Sequence, residues 1–368
     1  MDVVTTARGD IAPGELGYTS MHEHLNTDNA VMTRLIERHT GASLPTEMLE
    51  LRIDNLAFLR DSGAAASPDC KTAGDIGFTV AELKFFKEIG GNAICDASPI
   101  GMRGDVRDLR TASEEAGVHI VFATGLYTVG TRPNEFDDMD EDDLVDFFTR
   151  EVSDGVGDTA IRPGFLKCAL SATDPSAPLH DAEVTTLRAL ATVSVDTGLS
   201  LQVHTAFPMS HAQVLQCVAI ALGAGMSPER LVMIHMDSFL RPWDALDAYV
   251  ADITTPRTVS TELPRVILDQ GVNIGFDSWG ATTAILPDDF DRAKGLVDLL
   301  NAGHADRIVL GHDNFTKAHG KSYGYYGFTR FPQFIPPVLN RLGFDDDVYR
   351  RLVVDNPARI LTHCRRPR

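Results

Sequence analysis

The sequence predicts a closed (β/α)8 barrel of the TIM type, and three observations predict it. Short, apolar, β-prone runs recur eight times along 368 residues. Helical segments separate them, so the strands run parallel, because a parallel connection needs a crossover rather than a tight turn. Eight such units suit a closed barrel at this length. No Gly-x-Gly-x-x-Gly follows an early strand, as an open dinucleotide-binding sheet would require.

The elements follow in order. Residues 3–16 read as a hairpin: Val3-Val4-Thr5-Thr6 is β-prone and Ala12-Pro13-Gly14 marks a turn. The first barrel strand covers 16–25. Helical spacing of apolar residues follows at 46–61 (Met48, Leu49, Leu51, Ile53, Leu56, Leu59) and at 79–89 (Val80, Leu83, Phe85, Phe86, Ile89), with a loop over 63–77 between them. Further strands fall at 93–97, 119–123, 164–168, 201–204, 231–235, 272–276 and 307–311. Helices fall at 105–116, 141–153, 181–197, 211–224, 262–270 and 290–302. Near the end, Phe344-Asp345-Asp346-Asp347 starts a helix with acidic residues in its first turn, which suits the positive end of the helix dipole. Asn356-Pro357-Ala358-Arg359-Ile360-Leu361 forms a last short helix. No linker or larger repeat divides the chain. Residues 1–368 are therefore read as one domain, with 1–16 as an N-terminal hairpin and 314–337 as an active-site loop.

The composition is 43% hydrophobic and 23% charged, with a formal net charge of −19. That supplies a large core and an acidic surface, and it excludes the basic face a nucleic acid needs. No apolar run is long enough to span a bilayer. The stretch Met1-Asp2-Val3-Val4-Thr5-Thr6 lacks the charged and apolar regions of a secretory signal. Five scattered cysteines without a Cys-x-x-Cys fit a reducing compartment. The expectation is a cytoplasmic protein with a small-molecule substrate and no nucleic-acid or membrane partner.

Polar residues stand at the ends of these strands. In Ser20-Met21-His22-Glu23-His24 the two histidines share one strand face, because side chains alternate with a period of two. Lys167 ends the fourth strand, His204 the fifth and His235 the sixth, while Asp313 follows the eighth. Functional side chains of a barrel gather at this C-terminal mouth. Singly, each is an ordinary core or rim residue. Together they are a metal-ligand set, since imidazole and carboxylate are the usual ligands of zinc and similar ions. Four histidines and one aspartate are few ligands for two ions. A lysine buried near cations loses its proton readily, and the amine can then take up carbon dioxide as a metal-bridging carbamate. Water between two such ions is acidified to hydroxide, a nucleophile that needs no serine or cysteine. The chain has no Gly-x-Ser-x-Gly elbow and no Walker A loop.

The order His-x-His, Lys, His, His, Asp on an eightfold βα chain resembles the phosphotriesterase family of the amidohydrolase superfamily. Supporting stretches are Phe78-Thr79-Val80-Ala81-Glu82-Leu83, Ala123-Thr124-Gly125-Leu126-Tyr127 and Asn356-Pro357-Ala358-Arg359. The resemblance implies two divalent ions, zinc foremost, with manganese, cobalt or iron as alternatives. His22, His24 and Asp313 would hold the more buried ion and His204 and His235 the more exposed one. Carboxylated Lys167 and a hydroxide would bridge them, and Asp313 would be the general base. Many members that resemble this chain are lactonases with phosphotriester hydrolysis as a side activity. Tyr127 matches their tyrosine near the hydroxide, and Arg292 matches a lactonase-like position. Ser278-Trp279 departs from the pattern, standing where quorum-sensing-type lactonases place an arginine. Trp279 joins Arg292 as a substrate-binding candidate. A homodimer is also implied.

One local feature is independent of the resemblance. Between Asn314 and Phe344 stand Lys317, Lys321, Arg330 and Arg341 and no acidic residue. In so acidic a chain this is a positive island, predicted to bind an anionic substrate group through Lys317 and Lys321. Tyr323, Tyr325, Tyr326 and Phe328 suit a lid, and Gly320, Gly324 and Gly327 would let it move.

The functional expectation is a binuclear metal hydrolase acting on a lactone or other carboxylic ester. A phosphate triester at the same site is the alternative. A non-catalytic metal- or ligand-binding barrel is the alternative of another class. A single-metal deaminase would need an acid glutamate that Leu201-Gln202-Val203-His204-Thr205 lacks.

Overall fold

The computed structural model describes residues 1–28, 46–60, 67–172, 174–205, 208–242, 245–281 and 286–364. Strands β1 (Asp2–Thr6) and β2 (Gly9–Ile11) form the expected N-terminal hairpin. The chain reverses at Ala7-Arg8, earlier than expected, and Pro13–Glu15 is instead a short 3-10 turn.

Eight strands then pair side by side in chain order, all parallel. They are β3 (Thr19–Glu23), β4 (Ala93–Asp96), β5 (His119–Leu126), β6 (Phe165–Leu170), β7 (Leu201–Thr205), β8 (Leu231–Ile234), β9 (Asn273–Phe276) and β10 (Ile308–Leu310). A final strand, β11 (His363–Cys364), was not expected; it pairs with β1. The small sheet lies at the N-terminal end of the barrel, where Ala7 N donates to Ile120 O at 2.8 Å.

The principal helices are α1 (Ile76–Glu88), α2 (Val106–Ala116), α3 (Glu141–Asp154), α4 (Asp181–Thr197), α5 (His211–Gly223), α6 (Glu262–Asp269) and α7 (Asp289–Asn301). Their starts are written in side chains. Asp140, Ser210 and Asp288 cap α3, α5 and α7 in reciprocal boxes with Asp143, Gln213 and Asp291. The expected helix over 46–61 is broken: only Thr46–Leu49 and Leu56–Phe58 are helical, with turns between. Its apolar residues contribute to a satellite cluster of Leu56, Leu59, Cys70 and Ala318 rather than to the barrel. No helix among the described residues is long and apolar enough to cross a membrane.

Met21, Cys95, Val121, Phe165, Val232 and Val309 fill the inside of the barrel, with Val4, Leu16, Ile360 and Leu361 in the same cluster. A larger apolar layer, including Phe148, Leu187, Leu190, Val214 and Leu299, joins the sheet to its helices. Such filling makes the barrel a packed support rather than a pore.

The ring closes where β10 returns to β3. His312 N and Asp313 N donate to His22 O at 3.3 and 3.1 Å, and His24 N donates to Asn314 O at 3.1 Å. This seam needs Gly311: a Cβ there would lie 2.8 Å from His22 O and 2.9 Å from His22 Cβ. The closure therefore sets the first His pair beside the residue that follows the last strand.

Candidate metal centre

The closure brings the sequence-distant polar residues to one point. His22, His235 and Asp313 each offer an atom within 4.8 Å of the others. His24 Nε2 lies 3.1 Å from Asp313 Oδ1, and Lys167 Nζ lies 3.4 Å from His22 Nε2. The His204 and His235 rings stand 4.6 Å apart, centre to centre. On the far side the Tyr127 hydroxyl is 3.3 Å from His204 Nε2. Lys167 is level with Gly125 on β5 and Gln202 on β7. Gly125 permits that approach, since a Cβ there would sit 1.7 Å from Lys167 O, and its φ of +140 suits glycine. His22, His24, Lys167 and His235 are buried, whereas Tyr127, His204 and Asp313 are partly exposed and mark where the site opens.

Two residues that sequence reasoning did not single out hold this arrangement. Asp277, just past β9, lies between two imidazoles: Oδ2 is 3.0 Å from His22 Nδ1 and Oδ1 is 2.9 Å from His235 Nδ1. An Nδ1–H donated to Asp277 leaves each Nε2 lone pair facing the cluster, which is the tautomer a metal ligand needs. Glu23 sits between the two seam histidines. Its carboxylate accepts from His312 N at 3.0 Å and Asn314 N at 3.2 Å, the amides on either side of Asp313. Ser20 Oγ and His312 Nδ1 complete its shell, each at 2.5 Å. Asp313 and His235 both hold left-handed backbone, at φ 54 and 61. Such conformations are uncommon for non-glycine residues and persist where the surroundings fix them. The sequence signal for both carboxylates was present: an acid buried at a strand end or between two candidate ligands.

Burial and neighbouring charge set the protonation states. Burial, then the Lys167 charge, lower His22 to about 3. Burial, with His235 and Lys167 beside it, also lowers His204 well below its ordinary range. Both are thus neutral imidazoles. Burial lowers His235 too, but Asp277 and Asp313 outweigh it and raise the group. Burial brings Lys167 down to about 8 against the opposing pull of Asp313 and Asp277. Burial raises Tyr127, with Asp313 and Glu183 adding to it, so its phenol stays protonated. For Asp313 burial opposes ionisation, and His22, His235 and His24 overcome it, holding the carboxyl below its usual range.

A model of the phosphotriesterase family matches residues 2–361. The chain belongs to the phosphotriesterase family. An N-acetyltaurine hydrolase of Xenopus tropicalis is 26% identical over 365 residues, covering 98% of this chain and 97% of that one. A resiniferatoxin-binding protein from Rhodobacter sphaeroides is 27% identical with a TM-score of 0.80, covering 98% of this chain and 94% of that one. A lactonase from Listeria monocytogenes shares the fold at a TM-score of 0.74 and 22% identity, covering 99% and 100%. The family and these hydrolase relatives make this chain a hydrolase.

The four residues expected to bind substrate are engaged within the fold as follows. Arg292 is fully buried: Nε donates to Asp237 at 2.8 Å and one terminal nitrogen to Asp289 at 3.0 Å, so its fork is held by the scaffold. Trp279 is buried as well, its Nε1 donating to Phe276 O at 2.9 Å and its ring near Phe334. Lys317 pairs with Asp75 at 2.6 Å, and Lys321 lies over the Phe85 ring, so both turn to α1. Two cations of the positive island, Lys317 and Arg330, are paired with acids from elsewhere in the chain. Besides Asp75, Glu82 accepts from the Lys321 and Ser322 amides and Asp289 pairs with Arg330. A local charge count could not see these partners. The segment 314–337, expected as an active-site loop, is built of three 3-10 turns and the first part of a helix, Arg330–Arg341. Tyr325 anchors it by donating to Gly280 O at 2.7 Å.

Proposed function

We propose that this chain is a binuclear metal-dependent hydrolase that cleaves a carboxyl derivative: a lactone, an ester or an N-acyl amide. The donor set fits the metals. Four imidazoles, a carboxylate and a lysine converge, and His22 and His204 are neutral, the form that ligates. On this reading His22, His24 and Asp313 would hold the more buried ion and His204 and His235 the more exposed one. Lys167, carboxylated, would lie between them. Its ammonium has no carboxylate partner among the described residues, and a pKa of about 8 leaves neutral amine available for carbamate formation. Zinc is the ion that such nitrogen and oxygen donors suit first. Ions held there supply Lewis acidity toward the scissile oxygen and acidify water.

The chain's own residues supply the rest. Asp313 is ionised, partly exposed and fixed by Glu23 through the amides on either side, so its carboxylate is placed to accept a proton and pass it on. Tyr127 stays protonated and offers an O–H donor across the site, of the kind that stabilises a developing oxyanion. The observation that carries the acyl reading is the position of that phenol against His204. Its O–H stands beside that imidazole on the partly exposed side of the site, where a donor would meet the carbonyl oxygen of an acyl group. The N-acetyltaurine hydrolase relatives, whose name describes an acyl amide substrate, lend the same support.

Two measurements test the proposal. Metal analysis of the purified protein should find two divalent ions per chain, and loss of metal from Lys167→Ala should accompany its inactivation. A panel of a δ-lactone, N-acetyltaurine and an aryl phosphotriester should give a kcat/KM for the best acyl substrate about 10²-fold above the phosphotriester. Tyr127→Ala should narrow that ratio. A native preference for the phosphotriester would overturn the acyl reading, and a metal-free active enzyme would overturn the metal reading.

A further inference from the structure

Arg132 lies in the loop between β5 and α3, the same loop that Tyr127 begins. It is only 7% exposed, and its Nε and Nη2 are shut away from solvent with no hydrogen-bond partner. Arg241 Nε and Arg292 Nη2 also lack a hydrogen bond, but those arginines form ion pairs, Arg241 with Asp291 and Arg292 with Asp237 and Asp289, as Arg103 does with Glu151. Among the described residues no carboxylate forms an ion pair with Arg132. Glu183 and Asp137 are close enough to act on its charge, but Glu183 is committed elsewhere. Its carboxylate accepts from Val129 N and Ser171 N, each at 2.8 Å, and from the Ser171 hydroxyl. It thus fastens the loop after β5, three residues before Arg132, to the loop after β6. Tyr127 and Arg132 share the segment that leaves the C-terminal end of β5, the end where a barrel's functional side chains gather. On the other side the Arg132 backbone packs against Gly101, where a Cβ would lie 3.4 Å from the Arg132 Cα and 2.5 Å from Thr131 O.

A buried guanidinium without a partner is costly for a fold, and it is retained where a ligand completes it. We infer that Arg132 recognises an anionic group, a carboxylate or sulfonate, which the substrate carries beyond its scissile acyl bond. This deepens the acyl-hydrolase reading and rests on it for the word substrate. The planar fork of arginine matches the paired oxygens of such groups, which a chain of net charge −19 would otherwise repel. The role expected of Lys317 and Lys321 thus passes to a residue on the other side of the barrel.

The test uses the metal-loaded parent and two variants, Arg132→Met and Arg132→Lys. N-acetyltaurine and its neutral counterpart N-ethylacetamide form one substrate pair; a lactone with a side-chain carboxylate and its methyl ester form another. For Arg132→Met, kcat/KM on the anionic member should fall about 10²-fold, mostly through KM, while the neutral member changes less than about threefold. Arg132→Lys should recover part of the loss. Independently of turnover, calorimetric titration with ethanesulfonate should show binding to the parent and at least a tenfold loss in Arg132→Met. Without ligand, Arg132→Met should melt no lower than the parent, because it removes an unpaired buried charge. Equal losses on both members of each pair, unchanged sulfonate binding, or a strongly destabilised Arg132→Met would each overturn the inference. A parent that binds ethanesulfonate through Arg132 yet hydrolyses neither pair would overturn the acyl reading and leave the anion site standing.

Discussion

The floor of the site and its rim are built on opposite terms. At the floor the acids are already engaged: Asp277 between His22 and His235, Glu23 among Ser20, His312 and the amides flanking Asp313. At the rim, Arg132 is buried without a partner, and Tyr127, His204 and Asp313 are partly open. A fully paired network fixes geometry and has nothing left to give a ligand. An unpaired group does the reverse. The scaffold therefore does its holding at the floor and leaves recognition to the rim.

If the floor is a holding device, breaking it should cost more than any change at the rim. Asp277→Asn should have the largest effect. Asparagine keeps one acceptor but turns an NH2 toward the second ring, so one of His22 and His235 loses its set tautomer. Metal affinity should fall about 10- to 100-fold, the usual range for losing such a supporting partner. Stability should fall too, because a buried group loses its charge partner. Metal content after dialysis and the melting temperature of the loaded protein check this. Full retention of both would show that Asp277 is not part of the support.

Glu23→Gln should come next. The substitution leaves one oxygen where two accept four donors, and it aims an NH2 at one of the two amides flanking Asp313. Each donor left unsatisfied at this buried place costs about 1–3 kcal/mol. Asp313 should then be held less well while the histidine ligands stay in place. The expected outcome is a fall in kcat of about tenfold with KM and metal content close to the parent. A fall in KM-dependent binding with kcat intact would place Glu23 in recognition and blur the division between floor and rim.

The division also explains what could be read from the residues alone. The eight strands and the helices from 105 onward follow from local pattern: short apolar runs, helical spacing, and caps such as Asp140, Ser210 and Asp288. The ligand set was legible because each member stands at a strand end, where the barrel topology itself delivers it to one rim. Asp277 and Glu23 were harder to see, because their roles depend on contacts with residues 42 and 289 positions away. The interruption within 46–61 shows the same limit. Its apolar spacing is helical, yet Leu56 and Leu59 are drawn to Cys70 and Ala318, and only two short helices remain. Arg132 could not be recognised from sequence, since its distinguishing property is that it forms no ion pair among the described residues while two of its nitrogens are buried without a hydrogen bond.

The smallest effect belongs to the rim lysines, and it sharpens the comparison because charge alone would have predicted a large one. Lys317 is already paired with Asp75 at 2.6 Å, and Asp75 is itself in water on one side. Lys321 rests on Phe85, and its backbone, not its ammonium, is what Glu82 holds. Both ammonium groups are thus engaged on the α1 side of the loop. Lys317→Ala should remove an ion pair whose partner is largely solvated, worth at most about 1 kcal/mol of stability. Lys321→Ala should remove one cation–ring contact of about 0.5–1 kcal/mol. KM for an anionic acyl substrate should stay within about twofold of the parent in both, since neither changes the charge that faces the site. The assay is the same substrate pair used for Arg132, run side by side. A selective rise in KM for the anionic member in Lys317→Ala or Lys321→Ala would mean that the loop after β10 turns its cations inward when substrate binds, and recognition would then be shared between two sides of the barrel.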